Sequence, residues 1–189
     1  LRVEWKGRLV EHLGTFTVEL VKSNAAVLFN DPLPLIALSS ATAILDVVLP
    51  ERAPVPEQFA ELTQLIEFLG KTGWEIRYLR WEMKLLEHLG FGLNLTECAA
   101  TGSKQDLIYV SPKSGRSVSA AAGKKYRKKL LALPAFFISQ DEHKVESACL
   151  SKGFTLTGYF LARHALNDVN QKLPAARIRL AEFFEKNRV

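Results

Sequence analysis

Six consecutive residues, Lys124-Lys125-Tyr126-Arg127-Lys128-Lys129, hold the densest charge in the chain, five cations around one aromatic ring. Cations so spaced neutralise phosphates while a ring stacks on a base, which is the chemistry of non-covalent nucleic-acid binding. The other reading is a solvated face, since many charge runs meet no ligand. A second group is Arg80, Trp81 and Lys84, two cations about one turn apart beside an indole. One helix could thereby offer a partner both charge and an apolar slot. Glu82 falls beside the apolar stripe of that helix and needs a cation or donors, because an unpaired buried carboxylate is strongly destabilising. Arg80 could serve Glu82 instead of a ligand. Finally, Cys98-Ala-Ala-Thr101-Gly102 has the outline of a zinc knuckle, Cys-x-x-Cys-Gly, without its second ligand, and Ser119-Ala-Ala-Ala122-Gly123 repeats the outline with neither.

The elements that must position these groups follow from periodicity. Tyr78, Leu79, Met83, Leu85, Leu86 and Leu89 recur at three- and four-residue spacing and predict a helix that Gly90 stops, with Arg77, Arg80, Lys84 and His88 on another side. Pro34 to Leu49 is apolar almost all round and predicts a buried central helix. Phe59, Leu62, Leu65, Ile66 and Leu69 give the stripe of a helix between Pro56 and Gly70. Three consecutive helices with short connections imply an antiparallel bundle. Leu107 to Val110 and Arg116 to Ser119 read as short strands around a Ser-Pro-Lys-Ser-Gly turn. Two alternating runs open the chain, Val3 with Trp5 and then Phe16, Val18 and Leu20, and two strands alone need further cover. The last third is helical again, with apolar faces at Phe154, Leu156, Tyr159, Phe160 and Leu161, then at Ala176, Leu180, Phe183 and Phe184. Arg163, His164, Arg177 and Arg179 lie beside them, and His164 is given no role.

A helix, then Leu-Gly-Phe-Gly, a degenerate knuckle, a hairpin and a second degenerate knuckle form an order that resembles the RecO family of bacterial DNA repair proteins. The likeness continues through "YVSPKSGRSVS", "LPAFF", "GYFLARHAL" and "KLPAARIRLAEFF". It implies a mainly α, α+β fold: a helical domain over 24–189 with a zinc-ribbon-like insert at 94–123. Residues 1–23 would be the last strands of an N-terminal OB-fold, most of which is absent here. A ribbon binds zinc through four thiolate or imidazole ligands. Here only Cys98 remains, Thr101, Ser119 and Ala122 stand at the other positions, and Cys149 and His143 are too distant, so no metal and no cofactor is expected.

The function the resemblance implies is that of a recombination mediator. Such a protein binds single- and double-stranded DNA, anneals complementary strands, and works with RecR to load RecA onto DNA coated by single-strand binding protein (SSB). Lys124, Lys125, Arg127, Lys128 and Lys129 are the expected DNA contacts. Arg80, Trp81 and Lys84, with Arg163 and Arg177 from later helices, are the expected receivers of the acidic, aromatic-ended SSB tail.

Composition agrees with this and excludes other classes. A balance of 25 basic to 20 acidic residues favours anionic partners. Two cysteines fit a reducing compartment without a disulfide framework. The longest apolar run, Leu35 to Leu49, is too short to cross a bilayer, and no signal-peptide pattern opens the chain. The expected location is the cytoplasm, at the bacterial nucleoid on the resemblance. There is no phosphate-cradling Gly-rich loop, no Gly-x-Ser-x-Gly elbow and no His-Glu-x-x-His helix. Asp141, Glu142 and Glu146 sit in a polar loop without evident chemistry. The protein is therefore not expected to be an enzyme. The alternatives are a metal-dependent nuclease or hydrolase with a cryptic site resting on His88, Glu82 or Asp106, and a helical scaffold that binds only protein.

Overall fold

The computed structural model describes residues 1–8, 13–29, 31–139, 146–167 and 171–187. Asp141, Glu142 and His143 lie outside the described residues. In order, the elements are β1 (Arg2–Lys6), β2 (Thr15–Glu19), α1 (Asn24–Leu28), α2 (Pro32–Val48), α3 (Pro56–Phe68), α4 (Trp74–His88), β3 (Leu107–Val110), β4 (Ser117–Ser119), α5 (Ala120–Gly123), β5 (Leu131–Ala132), α6 (Ser147–Phe160) and α7 (Ala175–Lys186). Two 3-10 turns, Lys124–Lys129 and Ala135–Phe137, flank β5, and α6 continues as a π-helical turn over Leu161–Ala165.

Local signals set the helix ends. The Asp31 carboxylate accepts from the Leu33 N–H at 3.1 Å, and Pro32 occupies the first turn, where a missing N–H is harmless. Helix α4 ends in a Schellman motif: Phe91 N–H donates to the Leu86 carbonyl and Gly90 N–H to that of Glu87, with Gly90 at φ +85°. A side chain would be strained there, so Gly90 stops the helix as its position predicts.

The helices do not pack in sequence order. Helix α3 lies on α4, α4 on α6, α6 on α7, and α7 on α2. The apolar surface of α2 finds its main cover in a helix from the far end of the described chain, a correction to the bundle expected of three consecutive helices. Ala37, Ala41, Ile44, Tyr78, Leu79, Leu86, Leu156, Leu161 and Leu180 have no exposed surface. Gly153 lets α6 approach α4, since a Cβ there would lie 2.6 Å from Leu79 Cδ1 and 2.9 Å from Phe136 Cζ.

A polar network threads this core. Glu82 is fully buried and accepts from Thr157 Oγ1 at 2.5 Å and from Arg177 Nη2 at 3.0 Å, while Arg177 Nε donates to its other oxygen. Arg177, 1 % exposed, also donates to the Phe154 carbonyl. Tyr78 OH and Ser40 Oγ are 2.6 Å apart, bringing α2 toward the same centre. Burial foremost, then the Glu82 carboxylate, hold the Tyr78 phenol well above its ordinary range; Arg177 and Ser40 oppose this without cancelling it. The folded protein therefore keeps a proton that the unfolded chain releases near pH 10. The stability this contributes is complete below that pH and is lost as pH rises toward the folded value. Urea midpoints measured between pH 9 and 11 should fall, and Tyr78→Phe should make that fall shallower; an equal slope in the variant would assign the loss to other groups.

Strands β1 and β2 pair antiparallel, with Val3 opposite Val18 and Trp5 opposite Phe16. The expected strands are thus present, and every residue in both is exposed. A second sheet has the order β4-β3-β5. Strands β3 and β4 lie where the pattern puts them; β5 has two residues, too few for alternation to reveal.

Candidate functional site

The basic run folds as the 3-10 turn Lys124–Lys129, with all five cations exposed and Tyr126 60 % exposed. Its position is set by Gly123. A Cβ at that residue would stand 2.5 Å from Tyr109 Cδ2 and 3.1 Å from Leu130 Cδ1. The missing side chain lets the backbone sit directly on β3, so the turn is seated on the β4-β3-β5 sheet. Five charges and one ring are thereby held outward on a short, constrained stretch of backbone.

The knuckle positions come partly together. Cys98, 1 % exposed, accepts through Sγ from the Ser119 N–H at 3.3 Å, and its carbonyl accepts from the Gly102 N–H at 2.8 Å. Burial pushes the Cys98 thiol up, but hydrogen bonds from the side chains of Ser119 and Thr101 and from backbone N–H groups prevail and bring it down to about 6. Three of the four positions thus share one hydrogen-bonded cluster. The donor set still does not fit zinc: one thiol, two hydroxyls and the methyl of Ala122 do not make the closed thiolate or imidazole site that the ion requires. Among the described residues no group of three or more His, Cys, Asp or Glu could hold a metal.

Helices α3 and α4 enclose a cleft of about 240 Å³ lined by Glu61, Gln64, Leu65, Arg77, Arg80, Trp81 and Lys84. Three of the residues expected to receive a partner are therefore together. Their roles differ from the expectation in detail. Trp81 is only 4 % exposed and forms part of the wall, because it packs on Tyr78 with ring centroids 5.7 Å apart. Arg80 is half-buried and donates to the Phe136 carbonyl from Nε and Nη2, at 3.2 and 3.0 Å, and to the Ser139 carbonyl at 3.0 Å. It fastens the Ala135–Phe137 turn to α4. Lys84 meets Glu61 at 2.6 Å.

The two residues expected from later helices do not join them. Arg163 is exposed on the π-helical turn, 3.4 Å from Tyr159 OH, and does not line this cleft. Arg177 is the cation that neutralises Glu82, a role for which Arg80 was the alternative candidate. With its guanidinium committed inside the core, it cannot meet a ligand from solvent, which corrects its assignment to the groove. Arg77 is the cleft cation that sequence reasoning missed, although it shares a face with Arg80 and Lys84. It lies 4.0 Å over the Phe68 ring. The groups on which a hydrolase would rest are engaged separately: Glu82 with Arg177, His88 with Glu57 at 3.2 Å, and Asp106 exposed at φ +54°.

The family model described as the C-terminal part of recombination protein O matches residues 30–173. The chain belongs to the RecO family. Curated relatives of the same name, "DNA repair protein RecO", cover nearly all of it. That of Rhodospirillum centenum is 46 % identical over 96 % of this chain and 73 % of its own length. One from Cereibacter sphaeroides is 44 % identical over 98 % and 77 %, and that of Rhodospirillum rubrum 42 % over 96 % and 75 %. No solved structure matches. The RecO family comprises recombination mediators rather than enzymes. Among the described residues, no helix of this RecO-family chain is long and apolar enough to cross a membrane.

Proposed function

We propose that this chain acts in recombinational DNA repair by binding single- and double-stranded DNA without cleaving it, and by annealing complementary strands. The observation that carries the reading is the exposed 3-10 turn with Lys124, Lys125, Arg127, Lys128 and Lys129 around Tyr126. Its cations contact phosphates, and the ring stacks on an unpaired base. Trp5 and Phe16, paired across the exposed hairpin, extend the contact to single strands. In this reading 1–23 is the end of an OB-fold, 24–189 is the helical domain, and 94–123 is a ribbon that packing and hydrogen bonds hold in place of zinc. The α3–α4 cleft takes the acidic tail of SSB on Arg77 and Lys84 with Trp81 as its wall, and RecR joins the chain in loading RecA.

Replacing Lys128 and Lys129 by Ala tests the reading. Affinity for DNA should fall alike for every sequence, and the slope of log affinity against log salt should flatten by roughly one for each phosphate no longer neutralised. An unchanged slope would leave the turn a solvated face. Cleavage of the DNA on adding a divalent metal would favour a nuclease instead.

A further inference from the structure

Helices α3 and α4 run a ladder of polar pairs, a carboxylate on α3 against a nitrogen on α4, that stops before the cleft is complete. Glu57 meets His88 at 3.2 Å, and one turn along both helices Glu61 meets Lys84 at 2.6 Å. At the next position α3 offers Gln64, an uncharged amide, while α4 brings Arg77 and Arg80 to the same cleft. The lining therefore holds three cations and one carboxylate. Arg80 is already tied to two carbonyls, so the charge open to an incoming anion is that of Arg77 and Lys84. Beside Glu61, Lys84 keeps 54 % of its side chain exposed, against 27 % for Glu61.

We infer that Glu61 is a built-in competitor at this site, a carboxylate that occupies Lys84 until an acidic peptide displaces it. This rests on the reading of the α3–α4 cleft as a receiver of acidic peptide. The exchange at Lys84 replaces one carboxylate by another, so a ligand with a single charge gains little from it. A peptide with several carboxylates gains in addition the attraction of Arg77, which no carboxylate of the cleft lining answers. Glu61 thus sets a threshold of ligand charge, and selects multiply acidic chains over the many singly charged C-termini in a cell.

The full chain is titrated with a fluorescent peptide that has several acidic residues and ends in phenylalanine with a free carboxylate, and with the same peptide in which the acidic residues are amides. Glu61→Gln should tighten binding of the amide peptide, and of the acidic one at moderate salt, by about two- to fivefold, the range of one exposed ion pair. Lys84→Gln should weaken the acidic peptide and remove the effect of Glu61→Gln when the two are combined. If the acidic peptide binds, and loses affinity on Lys84→Gln, while Glu61→Gln changes the affinity of neither peptide, the competitor role is overturned and the cleft reading stands. If binding is absent, or is indifferent to Lys84→Gln and Arg77→Gln, the cleft reading fails and takes the inference with it. Circular dichroism of each variant checks that the helices are intact.

Discussion

Arg177→Met should destabilise the protein by about 3–5 kcal/mol, the range seen when one partner of a buried ion pair is removed. The loss comes less from the attraction itself than from what is left behind. Glu82 would remain fully buried with the Thr157 hydroxyl still donating to it, and the Phe154 carbonyl would lose a hydrogen bond. Replacing Glu82 by Met as well should recover a large part of the loss, because no unpaired charge then remains and Thr157 still donates to the Gly153 carbonyl at 3.1 Å. Urea denaturation of the two single variants and the double one measures this directly. A single variant within about 0.5 kcal/mol of the parent would mean that water reaches Glu82.

Arg80→Ala should cost about 2–4 kcal/mol, since charge-assisted bonds to two part-buried carbonyls vanish together. Arg80→Lys should rescue only part, because one ammonium cannot reproduce a planar fork that bridges the Phe136 and Ser139 carbonyls. Arg77→Ala, at an exposed guanidinium over Phe68, should cost less than about 1 kcal/mol. The contrast separates anchoring from ligand binding within one cleft. A destabilisation by Arg80→Ala no larger than that of Arg77→Ala would mean that Arg80 does not anchor the Ala135–Phe137 turn.

These residues also show how far the sequence could be read. That Glu82 required a cation followed from its place beside an apolar stripe. Arg80 was the wrong partner for a geometrical reason: residues i and i+2 point to opposite sides of a helix and do not face each other. The right partner, Arg177, stands 95 residues away, and no local periodicity relates two helices that distant. The strands, the long helices and the turn at Gly90 were legible because each depends on short-range chemistry. Helix order was not, since the cover of α2 by α7 depends on which apolar faces meet across the whole chain. The cleft was half-legible: Arg77, Arg80 and Lys84 share a face by spacing alone, whereas Glu61 enters only when α3 is laid on α4. Cys98 stood out by its knuckle-like spacing, but the hydrogen bonds that its thiol accepts from Thr101 and Ser119 depend on how the chain folds back in space.

The link between Glu82 and Arg177 also sets a clock on biosynthesis. At ribosomal speeds of about 5–20 residues per second, the segment between them takes roughly 5 to 20 s to appear. During that interval the nascent chain carries a carboxylate destined for the core, and an α2 surface whose main cover has not yet been made. The core around Glu82 therefore closes only after α7 has left the exit tunnel.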